Sequence, residues 1–190
     1  MPMRKALEPA GQAPHILITG LPGVGKTTLI RELTKRLTEF NPAGFYTEEI
    51  RNEQGIREGF RLVTFCGRQL LLSDIRHPGP YRVSRYGVDV AGFERLLEEL
   101  DLPHSPAPLI IIDEIGKMEC FSKRFIDLVT LLLDGPKTLI ATIALKGEGF
   151  IGQVKRRPDC RLTTVTRENR DRLPYELASE LQERLRAHAS

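Results

Sequence analysis

One run of eight residues, Gly20-Leu21-Pro22-Gly23-Val24-Gly25-Lys26-Thr27, restricts the possible folds of this chain more than any other segment. It satisfies G-x-x-x-x-G-K-[ST] without a mismatch, and both flanks suit a phosphate loop. The apolar run Ile16-Leu17-Ile18 precedes it. Leu29, Ile30, Leu33 and Leu37 follow at helical spacing. Glycines at these positions let the backbone curl so that successive N–H groups point inward at an anion. The positive end of the following helix favours the same charge. Lys26 is placed to reach β- and γ-phosphates as a point charge, and the Thr27 hydroxyl to ligate Mg²⁺. The nucleotide-binding set read from this run is Gly20, Leu21, Pro22, Gly23, Val24, Gly25, Lys26, Thr27 and the adjoining Thr28.

The remaining composition narrows the class. The chain has 190 residues, 41% of them hydrophobic, which suits one domain with a substantial core. The expected division is a flexible tail over 1–14 and a single domain over 15–190. A net charge of +3 is too small to argue for a nucleic-acid partner. No apolar run approaches the roughly 18 residues of a membrane span. The first 14 residues carry two cations but no apolar stretch, so a secretory leader is not expected. Cys66, Cys120 and Cys160 are far apart and form no C-x-x-C pair, which fits a reducing, cytoplasmic setting. Cys120 reads as a small buried thiol. The four histidines have no metal-ligand spacing.

Strand and helix patterns alternate, which points to an α/β layered fold. Residues 44–51 and 56–65 read as extended, and Asn52-Glu53-Gln54-Gly55 between them reads as a hairpin turn. A third piece over 69–73 extends this antiparallel ribbon, and His77-Pro78-Gly79-Pro80 then breaks regular structure. Helices are expected over 89–100, 121–133 and 150–155 and at the C-terminus, with Leu177, Leu181 and Leu185 on one face. Buried strands are expected over 109–112 and 138–143, and a further strand over 162–165.

Leu109-Ile110-Ile111-Ile112-Asp113-Glu114 is a Walker B pattern, four apolar residues and then two acids. Such a strand is expected beside the phosphate-loop strand, delivering its carboxylates at the C-terminal edge where ligands bind in open α/β sheets. Asp113 would hold the Mg²⁺ shell. Glu114 would polarise a water for in-line attack on the γ-phosphorus. Thr142 is placed either to sense the γ-phosphate or to serve only as a β-branched strand residue. Lys117 is the cation nearest in sequence for the developing charge. Arg51, Arg57, Arg61, Arg156 and Arg167 are others on loops or strand ends.

Further segments accompany these motifs. They are Gly44-Phe45-Tyr46-Thr47-Glu48-Glu49-Ile50-Arg51, Asp113-Glu114-Ile115-Gly116-Lys117-Met118-Glu119, Tyr86-Gly87-Val88-Asp89-Val90 and Glu168-Asn169-Arg170-Asp171. Together they resemble the small broad-specificity nucleoside-triphosphatases of thermophilic archaea and bacteria, a family with a vertebrate cancer-related member. The resemblance runs from about Pro14 into the C-terminal helix. It implies a RecA-like P-loop fold, a mainly parallel sheet with helices on both faces and an added antiparallel ribbon. It also implies Mg²⁺-dependent hydrolysis of ATP, GTP, CTP and UTP to diphosphate and phosphate, by a protein expected to be monomeric. At Ala144 the chain departs from the family, in which a histidine is frequent. A nucleoside or nucleotide kinase would use the same loop, but no arginine-rich lid segment is visible. A nucleotide-gated RNA-binding module would need a basic patch. The basic C-terminal third instead interleaves acids (Glu168, Asp171, Glu176, Glu180, Glu183), which reads as a solvated face. The loop Arg167-Glu168-Asn169-Arg170 is the candidate base-side segment, with Asn169 offering either an amide to the base or a helix cap.

Overall fold

The computed structural model describes residues 14–189. All but Pro14 of the expected N-terminal tail therefore lies outside the described residues. The first strand, β1 (His15–Thr19), leads through the glycine-rich loop into α1 (Lys26–Arg36). A three-stranded antiparallel ribbon follows: β2 (Ala43–Arg51), β3 (Arg57–Thr64) and β4 (Gln69–Asp74). The expected turn closes the first hairpin, with the Asn52 side chain accepting from the backbone N–H groups of Gln54 and Ile56 at 3.0 Å. Two short strands, β5 (Arg82–Val83) and β6 (Tyr86–Val88), extend the ribbon. The sequence reading missed both. A two-residue and a three-residue strand are too short to show a period; what makes them strands is the pairing of β6 with β4 and of β5 with β6.

The second half alternates strand and helix. It comprises α2 (Val90–Leu100), β7 (Leu109–Ile115), α3 (Lys123–Asp134), β8 (Thr138–Ile143), α4 (Gly149–Lys155), β9 (Cys160–Thr164) and α5 (Leu173–Ala189). The expected helix over 121–133 starts two residues late, because Ser122 caps it. Ser122 accepts from the Phe125 N–H at 3.0 Å, while a short 3-10 turn (Glu119–Phe121) precedes it.

The nine strands among the described residues form one sheet, in the order β5-β6-β4-β3-β2-β7-β8-β1-β9. The pairs β2/β7, β7/β8, β8/β1 and β1/β9 are parallel, and the ribbon pairs are antiparallel. This order corrects one expectation: β7 does not lie beside β1, because β8 is inserted between them. Side chains alternate across the sheet as the strand period requires. Ile16 and Ile18 of β1 pack with Leu29, Ile30 and Leu33 of α1 and Leu177 and Leu181 of α5. Leu17, between them, belongs to the opposite face with Phe93 and Leu97 of α2 and Phe125 and Val129 of α3. The sheet is thus covered by helices on both faces. His15, to which the sequence assigned no role, is buried. Its ring accepts the Leu139 N–H on β8 at 3.1 Å and meets the Leu133 carbonyl on α3 at 3.0 Å. Among the described residues no helix is long and apolar enough to cross a membrane.

Strand β2 joins the two parts of the sheet, running parallel to β7 over its first residues and antiparallel to β3 over the rest. Phe45 on β2 meets Phe93 on α2 edge to face, with centroids 6.0 Å apart. Gly44 sits at the junction with φ of 131°, and a Cβ there would lie 1.9 Å from the Ile111 carbonyl oxygen. Gly44→Ala is therefore expected to cost on the order of 3 kcal/mol, combining backbone strain with an inter-strand clash. A urea-unfolding midpoint unchanged from wild type would contradict this packing.

Candidate active site

The carboxyl edge of the parallel strands opens into a cavity of about 810 Å³. One wall is the phosphate loop and the start of α1. The other is the ribbon, through Thr47, Arg57, Phe60 and Val83. The loop takes its shape from Gly23 and Gly25, with φ of 73° and 115°, where a Cβ is disfavoured. Pro22, Gly23, Gly25, Lys26, Thr27 and Thr28 line the cavity. Gly20, Leu21 and Val24 do not line it with their side chains. Leu21 is exposed, Val24 is buried against the core, and Gly20 is pressed against the Val165 carbonyl.

Asp113 is the centre of the site. It is 1% exposed, and its two oxygens are shared among three elements. The Thr27 hydroxyl donates to Oδ2 at 2.7 Å, and the backbone N–H and hydroxyl of Thr47 approach the same oxygen at 3.4 Å. The Thr142 hydroxyl donates to Oδ1 at 2.5 Å. Thr142 is fully buried, and its hydroxyl is engaged by Asp113. Both acids lie inside β7 and not past its end, as the sequence had suggested. The pairing of β7 with β8 shifts between Ile112 and Ile115, which takes the acids out of the regular ladder.

Glu114 is one-third exposed in its side chain and lies 3.9 Å from the Lys26 ammonium. Lys26 also donates to the Gly20 carbonyl at 3.3 Å, so it spans the mouth of its own loop. Burial raises the Glu114 carboxyl above its ordinary value; Lys26 opposes the shift and Asp113 adds to it. The Thr27 hydroxyl and Asp113 carboxylate supply hard oxygen donors side by side, the chemistry Mg²⁺ selects. Among the described residues no cluster of three or more His, Cys, Asp or Glu could hold a metal by itself. Mg²⁺ typically takes one or two carboxylates and completes its shell with water and substrate phosphate, so the donor set fits.

The predicted cations separate clearly. Lys117 is exposed and lines the cavity. Arg57 lines it too, but is engaged by Glu49 at 2.6 Å and the Tyr86 hydroxyl at 3.0 Å. Arg51, Arg61, Arg156 and Arg167 are not among the lining residues. The sequence reading missed Lys146, which lines the cavity from the β8–α4 loop much as Lys117 does from the loop after β7. Its signal was available: a lysine three residues past the end of a buried strand. Cys120 is half-buried, less enclosed than the buried thiol the sequence suggested, and burial pushes its thiol up to about 12.

Glu119, in the turn after β7, is 5% exposed and lines the same cavity. Burial, followed by the neighbouring Glu114, pushes its carboxyl up to about 8. Gly116 makes room for both acids: a Cβ there would sit 2.8 Å from a Glu119 oxygen and 2.9 Å from a Glu114 oxygen.

Fold and site together define a P-loop protein of the RecA-like type, and comparison with known proteins narrows this further. A family model described as NTPase matches residues 15–178. The nucleoside-triphosphatase THEP1 of a Thermotoga species is 42% identical over 168 residues, covering 88% of this chain and 95% of the relative. The crystal structure of THEP1 from the hyperthermophile Aquifex aeolicus superposes with a TM-score of 0.80 at 38% identity, covering 88% of this chain and 98% of that one. The solution structure of a human cancer-related nucleoside triphosphatase gives 0.74 at 37% identity, covering 89% and 97%. The chain belongs to the NTPase family.

The buried Glu119 carboxyl makes stability pH-dependent. Its folded value near 8 exceeds the ordinary 4.5, so between these values the folded state holds a proton that the unfolded state releases. Stability is fully present below the ordinary value and is lost as the pH rises through 8. In metal- and nucleotide-free protein, Glu119→Gln should remove much of this loss, leaving the variant's Tm at pH 9 higher than wild type by roughly 5 °C. Parallel Tm-against-pH curves for the two proteins would contradict the buried-acid assignment.

Proposed function

We propose that this protein hydrolyses nucleoside triphosphates to diphosphate and phosphate with Mg²⁺ as cofactor. The observation that carries this reading is that Lys26, Thr27 and Glu114 line one cavity, with the buried Asp113 hydrogen-bonded to Thr27 directly behind it. The phosphate loop, the Walker B strand and β8 each contribute to this arrangement. The names of the relatives point the same way.

The backbone N–H groups of residues 23–28 cradle the phosphates, and Lys26 leaves Gly20 and Glu114 for the β- and γ-oxygens. Thr27 and Asp113 would hold Mg²⁺, which when bound neutralises charge on the β- and γ-phosphates. With Lys26 drawn to the phosphates, Glu114 loses its nearby cation. Its carboxylate, already raised toward neutral, becomes a better acceptor for the proton of the attacking water. Lys117 supplies positive charge to the γ-phosphoryl as negative charge develops there. Asp113 is held in position by Thr142 and Thr47. The same reading has the protein working as a cytoplasmic monomer, a single domain with no membrane partner.

A phosphoryl transferase is the competing reading, since the ribbon wall through Phe60, Leu72 and Val83 leaves room for an acceptor. Free phosphate released with no acceptor present decides between the two. We expect release from ATP, GTP, CTP and UTP with kcat/KM values within about tenfold of one another, a spread of roughly 1.4 kcal/mol. Glu114→Gln should lower turnover by about 10²–10⁴ with Mg·nucleotide affinity near normal. Turnover within a few-fold of wild type would remove Glu114 as the base. Release only on addition of an acceptor would establish a transferase.

A further inference from the structure

The functional reading fixes which way the triphosphate lies, and the sheet order then says where its base must go. On that reading, the γ-phosphate points toward Asp113 and Glu114 on β7. Strand β1 lies between β8 and β9, and β7 is on the β8 side. The nucleoside end therefore leaves the phosphate loop on the other side, over β9 and the loop that joins β9 to α5.

That loop is packed against the phosphate loop at both of its ends. The Val165 N–H donates to the Thr19 carbonyl at 2.7 Å. A Cβ at Gly20 would meet the Val165 carbonyl oxygen at 2.8 Å, and one at Gly25 would meet Cδ of Arg170 at 3.8 Å. The loop is also internally fixed. Asn169 accepts the Thr166 N–H at 2.8 Å and donates to the Thr164 carbonyl at 2.9 Å, and the Arg170 N–H donates to the Thr166 carbonyl at 3.1 Å. Asn169 is thus engaged by the backbone as a loop clasp, with one amide N–H and one oxygen lone pair spent on it.

Arg170 is in a different situation. Its stem crosses the start of α1 at Gly25, and its side chain is 46% exposed. Its ion pair with Asp171 is loose, at 3.7 Å, and Asp171 is itself 90% exposed. Tyr175, the aromatic ring nearest in sequence, is occupied by the Arg36 guanidinium at 3.6 Å. Glu168 and Asp171 interleave here with Arg167, Arg170 and Arg172.

We propose that Arg170 is the base platform of the site, its guanidinium plane stacking on the face of whichever nucleobase is bound. A guanidinium is planar, weakly hydrated and stacks on π-systems. Every base presents a π-face, so stacking gives affinity without reading hydrogen-bond edges. This supplies a physical reason for broad base tolerance: the contact is indifferent to base identity. The proposal rests on the hydrolase reading for the orientation of the nucleotide.

The test measures Mg²⁺-dependent dissociation constants for non-hydrolysable analogues of ATP, GTP, CTP and UTP, and for inorganic tripolyphosphate, which has no base. Wild type, Arg170→Ala and Arg170→Lys are compared, with Tm confirming that each variant folds. Arg170→Ala should weaken all four nucleotides by roughly tenfold relative to tripolyphosphate. Arg170→Lys, which keeps the charge and loses the plane, should weaken them nearly as much. Equal weakening of tripolyphosphate would make Arg170 a phosphate cation and overturn the proposal. So would full rescue by lysine, loss for one base alone, or no change in any constant. Wild-type protein that bound tripolyphosphate and nucleotides equally tightly would refute the base platform while leaving the phosphate site intact. Wild-type protein that bound neither would refute the hydrolase reading as well.

Discussion

A single buried carboxylate, Asp113, ties the site together. A lone ionised group in the core is costly unless its oxygens are hydrogen-bonded. Here α1 contributes Thr27, β2 contributes Thr47 and β8 contributes Thr142. Three elements distant in sequence are thereby held at fixed positions around one side chain, with no cation among the partners. This arrangement requires β8 to lie between β1 and β7, because only a neighbouring parallel strand brings Thr142 against Asp113. The strand order and the chemistry of the site are one constraint.

The ribbon has a comparable dependence on Gly44. Strand β2 reaches β7 closely because no Cβ intervenes, and it then turns to antiparallel pairing with β3. That junction places Thr47 on Asp113 and sets the ribbon opposite the phosphate loop, turning a sheet edge into a two-walled cavity. Within it the charges are largely neutralised in pairs, Arg57 with Glu49 and Arg31 with Glu48. Lys26 bridges Gly20 and Glu114 in the ligand-free arrangement. On the proposed hydrolase reading, a triphosphate would compete for Lys26 and so uncover the Glu114 carboxylate.

Much of this was legible in the chain because it is local. The phosphate loop, its strand and helix, the hairpin turn at Asn52 and the apolar runs of β7 and β8 each depend on neighbours within a few residues. What was not legible is non-local. Strand order follows from packing across the whole domain, so β7 was placed one strand too near β1. Thr142 was legible as a candidate for the γ-phosphate or as a plain strand residue, but its hydrogen bond to Asp113 was not. Glu119 sits in a short turn with no periodic pattern to reveal its burial. Asn169 was ambiguous between base and backbone, and its two hydrogen bonds are to the backbone of its own loop.

The most direct test of the Asp113 arrangement is the Mg²⁺ dependence of phosphate release in Thr142→Val. This change keeps the shape of the side chain and removes the hydroxyl that holds Oδ1. Hydrogen bonds to charged groups contribute about 1.5–3 kcal/mol, so the Mg²⁺ concentration for half-maximal activity should rise by roughly tenfold or more. Thermal unfolding of the variant checks that the fold is retained. A variant that folds and shows an unchanged Mg²⁺ dependence would contradict the claim that these hydrogen bonds preorganise the metal site.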